Sequence, residues 1–187
     1  MEFPKSAIIN IIGGPGAGKS CITYLLYAKL KISGYIVEHV PEYAKKLVWA
    51  KKFSVLDNQY HVSSKQYESI KAVYGSVEYV ITDGSLLHGL YYNKFNNGNV
   101  SNIELTHDKI LEYFNDFNNI NIYLTRGDFK YEQAGRIQTE EEAITIDKEL
   151  MKVLDIAGIK YAVFKNDENT VDKILEYIIS QNTQFKI

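Results

Sequence analysis

The chain has 187 residues, a net charge of −2, 45% hydrophobic residues and 24% charged residues. These values predict one domain over residues 1–187 with a full hydrophobic core, and no apolar stretch is long enough for a membrane helix. The acidic balance disfavours a nucleic-acid partner, although it leaves a local basic groove open.

The N-terminus and the cysteine content predict where the protein works. Residues 1–5 do not form a signal peptide, because an apolar strand follows at once. The single cysteine, Cys21, excludes an internal disulfide and fits a reducing compartment. We therefore expect a cytoplasmic protein without a membrane partner, in the host cytoplasm if a phage encodes it. The sequence is compatible with a homodimer.

Strands and helices are predicted to alternate along the chain. Apolar β-branched runs predict strands at residues 6–12, 35–40, 78–82, 120–124 and 159–164. Helical spacing, caps and glycine stops predict helices from the end of the first glycine-rich turn to about 34, then at 41–52, 57–74, 85–95, 103–117 and 139–157, with a last one from 170. Asp57 is expected to cap the third of these. The alternation predicts an α/β three-layer sandwich around a mostly parallel five-stranded sheet.

A phosphate-loop motif follows the first strand. Residues 13–20 read Gly-Gly-Pro-Gly-Ala-Gly-Lys-Ser and fit the pattern G-x-x-x-x-G-K-[ST]. Such a loop turns backbone N–H groups toward a polyphosphate, its lysine reaches the β- and γ-phosphates, and its serine binds Mg²⁺. The predicted nucleotide-binding residues here are Gly13, Gly14, Gly16, Ala17, Gly18, Lys19, Ser20 and Cys21. ATP and Mg²⁺ are the predicted cofactors.

Acidic residues follow the next two strands. Ligands lie off the carboxyl ends of strands in such sheets, so these positions face the cleft. Glu42 is expected to position or deprotonate an acceptor hydroxyl, or else to be an ordinary acidic residue at a helix N-terminus. Asp83 is expected to organise Mg²⁺ with Ser20 and is the substitute candidate for the base; a simple helix cap is the alternative.

The two arginines of the chain lie together after the fourth strand. Arg126 and Arg136 fall within residues 126–139, whereas the other basic side chains, apart from the histidines, are lysines. A planar fork of donors suits a lid over a transferring phosphoryl group, so we predict a lid at 126–139. Arg136 is expected to neutralise developing charge, and Arg126 to bind the nucleotide or stack on a purine. Two unrelated surface arginines are the alternative.

Substrate-binding residues are predicted on either side of this cleft. Tyr43 adjoins Glu42, and Gln66 lies in a helical stretch where its amide is able to read a base edge. Tyrosine is abundant in the chain, with 15 copies, so ordinary packing is the competing interpretation.

Four segments together resemble the NadR-like family of AAA-type ATPases, which includes ribosylnicotinamide kinase domains and many small phage-encoded proteins. The segments are residues 13–20, 40–44, 81–85 and 135–143. The resemblance spans about residues 6–165. It implies a P-loop kinase fold of the nucleoside- and nucleotide-kinase type, with Glu42 and Asp83 at acidic active-site positions and Arg136 in the lid.

The sequence therefore predicts an ATP-dependent kinase that transfers the γ-phosphoryl group to a hydroxyl of a nucleoside-like molecule, for example nicotinamide riboside. A nucleoside monophosphate and a modified base in phage DNA are alternative acceptors. The glycine-rich start also resembles adenylate kinases, but Ser85-Leu86-Leu87 rather than an arginine comes soon after Asp83-Gly84, and no arginine lies outside residues 126–139, which favours an acceptor without a phosphate. A nucleotide-binding switch, or an ATPase without an acceptor, is the rival from another class.

Overall fold

The computed structural model describes residues 6–183. Within this range the chain forms five strands, at β1 (Ala7–Ile12), β2 (Val37–His39), β3 (Tyr79–Thr82), β4 (Asn119–Thr125) and β5 (Ala162–Lys165). It forms eight helices, at α1 (Lys19–Ile32), α2 (Tyr43–Trp49), α3 (Phe53–Leu56), α4 (Gln59–Lys71), α5 (Leu87–Phe95), α6 (Ile103–Asn115), α7 (Glu140–Ile156) and α8 (Thr170–Thr183).

The strands form one parallel sheet with the order β2-β3-β1-β4-β5. All six residues of β1 are buried, because β1 is central and both faces of the sheet are covered by helices. The connection from β1 runs to β2 on one side of the sheet, whereas the connection from β3 runs to β4 on the other side of β1. The strand order therefore switches between β1 and β3, and their carboxyl ends border a crevice. Ligands bind at such a switch point in open α/β sheets.

Two hydrophobic clusters lie on opposite faces of the sheet. Alternate β1 residues Ile9 and Ile11 face the first cluster, which contains side chains of α1 and α8. Their neighbours Ile8 and Ile12 face the second cluster, which contains side chains of α4 to α7. This period of two builds the helix–sheet–helix sandwich and confirms the predicted fold class.

Element ends differ from the predictions by a few residues. The predicted capping box at Thr139 is confirmed, since Thr139 and Glu142 exchange both hydrogen bonds at the start of α7. The prediction for Asp57 was wrong: Asn58 caps α4, while Asp57 ends the short helix α3, which was not predicted. Residues 1–5, for which the sequence predicts no signal peptide, lie outside the described residues. No helix within residues 6–183 is long and apolar enough to cross a membrane.

Candidate active site

The phosphate loop joins the carboxyl end of β1 to the first residue of α1. Gly18 has a left-handed φ of 89°, and a side chain there would place its Cβ 2.0 Å from Nδ2 of Asn166. Asn166 follows β5 and donates from that atom to the carbonyl of Ala17 at 2.8 Å. Glycine at position 18 therefore lets the loop curl closely against the end of β5.

The loop's backbone N–H groups divide into two sets. The N–H of Gly13 donates to Nε2 of His88 at 3.3 Å, that of Gly14 to Asp147, and that of Ala17 to the carbonyl of Gly14. Four other N–H groups of the loop have no hydrogen-bond partner among the described residues; they belong to Gly16, Gly18, Lys19 and Ser20. Unpaired donors at a helix N-terminus form an anion site.

Lys19 lies over the same loop. Its ammonium donates to the carbonyls of Gly13 and Gly14 at 2.8 and 2.9 Å. Burial lowers the pKa of Lys19, although Glu42 and Asp83 partly offset that effect. A compact cation held at the loop by weak neutral acceptors is available to a phosphate, which is a stronger acceptor.

Ser20 and Asp83 form the part of the site that suits a hard cation. Ser20 Oγ donates to Asp83 Oδ2 at 2.5 Å, and His39 Nε2 lies 3.5 Å from Oδ1. Burial by itself would raise the pKa of Asp83, but its contacts with His39 and Ser20 and the charge of Lys19 lower it to about 2. A hydroxyl beside an ionised carboxylate fits Mg²⁺, so these residues would hold it.

Glu42 ends the turn between β2 and α2 and lines a cavity that begins at the phosphate loop. Burial raises the pKa of its carboxyl, partly offset by the positive charge of Lys19. Gln66 accepts from the N–H of Tyr43 at 2.8 Å and donates toward the carbonyl of Pro41 at 3.4 Å. The Gln66 amide therefore holds the turn that carries Glu42.

The other predicted substrate residue, Tyr43, points its hydroxyl to within 3.4 Å of Nε2 of His61 and does not line the cavity. Its contribution to the site in this structure is the backbone N–H held by Gln66. Direct contacts of Tyr43 and Gln66 with a substrate remain predictions.

A cavity of about 1040 Å³ extends from the phosphate loop between the helices. Pockets for one drug-sized ligand run from roughly 300 to 1,000 Å³, so this cavity lies at the upper end of that range. Its wall away from the loop is formed by α2 to α5 and is aromatic; the rings belong to Trp49, Phe53, Tyr91, Tyr92 and Phe95. The charged residues on that wall among the described residues are Lys45, near the start of α2, and Asp57.

Residues 126–139 connect β4 to α7 and close one side of the cavity. Arg136 lines it, and its guanidinium stacks over the ring of Tyr131, 5.4 Å from the centroid. A Cβ on Gly135 would lie 2.4 Å from the indole of Trp49, so this segment reaches α2 across the cavity. Arg126 is not part of the lining; it pairs with Asp147 at the base of the segment.

Sequence reasoning missed His88, Asp147 and Tyr131. His88 binds Gly13 from 75 residues away, and Asp147 binds Gly14 from 133 residues away. No spacing rule links residues so far apart. The one available sign for His88 is its place in the apolar run Leu86-Leu87-His88-Gly89-Leu90, where a histidine needs a partner.

His88 gives a pH-dependent prediction. Burial, together with the charge of Lys19, lowers the pKa of His88 to about 3. Below about pH 6.5 the unfolded chain binds a proton that the folded chain refuses, so stability falls with pH. Between pH 6.5 and pH 5 we expect the free energy of unfolding to fall by about 2 kcal/mol more in the wild type than in His88→Gln. Urea titrations at both pH values measure this; equal losses would contradict it.

Gly84 follows Asp83 in the chain and packs against the backbone of Glu42. A Cβ at position 84 would lie 2.6 Å from Cα of Glu42, and backbone at that distance must move. We expect Gly84→Ala to displace the Glu42 turn, lower kcat roughly tenfold and destabilise the fold by about 1–3 kcal/mol. The control is Gly158→Ala, where φ is 69° but nothing lies within 4 Å of the added Cβ. That variant should lose roughly 1 kcal/mol of stability and no activity. An unchanged kcat in Gly84→Ala would refute the close packing of the Glu42 turn against Gly84.

The parallel sheet, its strand order and the glycine-rich loop before α1 define a P-loop NTPase fold of the nucleoside-kinase type. The chain belongs to the AAA domain family, whose model matches residues 8–170. No curated protein matches the sequence.

Solved structures of a deoxyadenosine kinase from M. mycoides are similar to the chain. The structure with the products dCMP and a flexible dCDP bound has a TM-score of 0.56 at 20% identity. The structure with bound dCTP has a TM-score of 0.52 at 19% identity. Each alignment covers 95% of this chain and 99% of the other. At such identity the likeness establishes the fold.

Proposed function

We propose that the protein is an ATP- and Mg²⁺-dependent kinase that phosphorylates a hydroxyl of a nucleoside-like molecule. The observation that carries this proposal is one cavity that joins a phosphate site with four unpaired N–H donors to a half-buried carboxylate, Glu42, and an aromatic wall. A hydrolase needs no aromatic wall for a second ligand beside its phosphate site. The similar fold of a deoxyadenosine kinase supports the same class.

The residues divide the reaction between them. ATP would supply the γ-phosphoryl group and Mg²⁺ would neutralise its charge. Lys19 and the loop N–H groups hold the phosphates, while Ser20 and Asp83 hold the metal. Glu42, whose pKa is raised by burial, orients the acceptor hydroxyl and accepts its proton as the O–P bond forms. Arg136, in the proposed lid of residues 126–139, stabilises the charge on the transferring group.

The cavity wall favours an acceptor without a phosphate. Lys45 lies at the end of the wall next to the phosphate loop, where its ammonium donates to Ser20 Oγ at 3.3 Å. Farther along the wall, between residues 46 and 97, the described lining contains no lysine or arginine, and its charged side chain is the Asp57 carboxylate. A phosphate against that farther part would lack a cationic partner and would meet a like charge. An aromatic heterocycle stacks on its rings, and a positively charged heterocycle gains a cation–π contribution as well. Nicotinamide riboside meets both conditions. This choice also agrees with the resemblance of the four sequence segments to NadR-like proteins. Nucleoside monophosphates fit less well.

A panel of acceptors tests the proposal. The purified protein is incubated with ATP and Mg²⁺ and, separately, with nucleosides, deoxynucleosides, nicotinamide riboside, nucleoside monophosphates and hydroxymethylated DNA. Product masses are then read. We expect one phosphoryl group on an uncharged or cationic nucleoside. ATP binding without any phosphorylated acceptor would contradict the kinase and favour a nucleotide-binding switch.

A further inference from the structure

An ion pair on the outer side of the phosphate loop carries an inference beyond the cavity. Asp147, in the middle of α7, accepts from the N–H of Gly14 through Oδ1 at 2.9 Å. Its second oxygen, Oδ2, accepts from Nε of Arg126 at 2.5 Å. Arg126 in turn donates from Nη2 to the carbonyl of Pro15 at 2.5 Å. The two side chains therefore grip consecutive residues of the loop and each other.

The surroundings leave this arrangement little freedom. A Cβ on Gly14 would lie 2.1 Å from Oδ1 of Asp147, so α7 packs directly against the loop backbone. Tyr123, in β4, donates its hydroxyl to the carbonyl of Asp147 at 2.7 Å. The side chains of Arg126 and Asp147 are only 21% and 19% exposed, so the pair is largely shielded from solvent and salt.

The position of the pair gives it a functional consequence. Residues 14 and 15 come just before Gly16, the first of the four unpaired donors that face the phosphate site. Arg126 begins the segment 126–139 and Asp147 lies on the helix that follows it, so the pair also closes the base of that segment. A shift of the loop by about 1 Å is enough to spoil aligned phosphate contacts.

We propose that Asp147 and Arg126 are positioning residues that clamp the first half of the phosphate loop in its phosphate-binding shape and tie it to the base of the lid. The inference rests on the assignment of a polyphosphate to the loop, but not on the identity of the acceptor. It predicts that the pair affects affinity in proportion to the number of phosphates on the ligand, because neither Asp147 nor Arg126 lines the cavity.

Nucleotide binding tests the clamp. Calorimetry measures Mg-ADP affinity, and competition measures AMP and adenosine, for the wild type, Asp147→Asn, Asp147→Ala, Arg126→Lys and the double variant Asp147→Asn/Arg126→Lys. We expect ADP affinity to fall roughly fivefold in Asp147→Asn, which keeps an acceptor for Gly14, and tenfold or more in Asp147→Ala. Adenosine affinity should not change. The double variant should lose less than the sum of the single losses, because both act on one contact.

Glu149→Gln is the matched control, since it removes the same charge two residues along α7, where Glu149 pairs with Lys152 at 2.7 Å. It should bind ADP as the wild type does. Equal ADP affinity in the Asp147 variants and this control would overturn the clamp, as would equal losses for ADP and adenosine. If Asp147→Ala fails to fold, Asp147→Asn and Arg126→Lys decide. A wild type that binds no ADP would refute the phosphate site itself, which separates failure of the proposed function from failure of the clamp.

Discussion

Lys19→Ala should cripple nucleotide turnover while leaving the protein folded. The ammonium is held against the phosphate loop by the carbonyls of Gly13 and Gly14. Without it the charge that develops on the transferring group has lost a preorganised partner, and we expect kcat/KM for ATP to fall by about a thousandfold. Initial rates of ADP formation at several ATP concentrations measure this loss.

The stability of the same variant separates function from folding. Burial lowers the pKa of Lys19, so the folded state disfavours its charged form relative to the unfolded chain. At neutral pH that charge therefore opposes folding, so its removal should offset the loss of the hydrogen bonds to Gly13 and Gly14 and leave the urea midpoint nearly unchanged. Lys31→Ala, on the exposed side of α1, is the control and should turn over normally. Wild-type turnover in Lys19→Ala would contradict the phosphate-loop assignment.

Glu42→Gln should spare nucleotide binding and slow phosphoryl transfer. The substitution keeps the shape of the side chain, and Gln66 holds the turn through backbone groups that the change does not touch. What it removes is the carboxylate that accepts the acceptor's proton, so kcat should drop roughly a hundredfold or more while the Kd for Mg-ADP stays within a factor of two. Single-turnover rates and calorimetry supply the two numbers.

The pH profile sharpens the test of Glu42. Because burial raises the pKa of this carboxyl, the wild-type kcat should fall as the pH drops through that raised value, where the base becomes protonated. Glu42→Gln should lack that acidic limb. Glu38→Gln, on the exposed side of β2, should keep both the rate and the limb. Full turnover in Glu42→Gln would show that another group, with Asp83 the first candidate, accepts the proton.

The sequence predicted those parts of the site that depend on local backbone. Residues 13–20 carry their geometry with them, because a strand, a glycine-rich turn and a helix in that order leave few conformations open. The positions of Glu42 and Asp83 followed from strand ends, since carboxyl ends of parallel strands meet at one edge. The structure places both residues on either side of Gly84, next to the loop.

Side-chain partners across the fold were beyond such reasoning. Binding of the nucleotide by Arg126 stays a prediction, whereas its pairing with Asp147 was not predicted, because that contact depends on the rotation of α7 about its own axis. Substrate binding by Gln66, which lines the cavity, also stays a prediction, whereas the bonds of its amide to the turn between β2 and α2 were not predicted. Both outcomes depend on how helices pack on the sheet, and packing is set by contacts between distant residues.

The most direct test of the account compares ADP formation with and without the acceptor that the panel identifies, at saturating ATP and Mg²⁺. We predict that ADP and phosphorylated acceptor appear in equal amounts, and that ADP formation without the acceptor is slower by about a hundredfold or more. This result would establish transfer to a hydroxyl in the cavity beside Glu42. ADP formation at the same rate with and without acceptor, and no phosphorylated product, would show instead that the protein hydrolyses ATP.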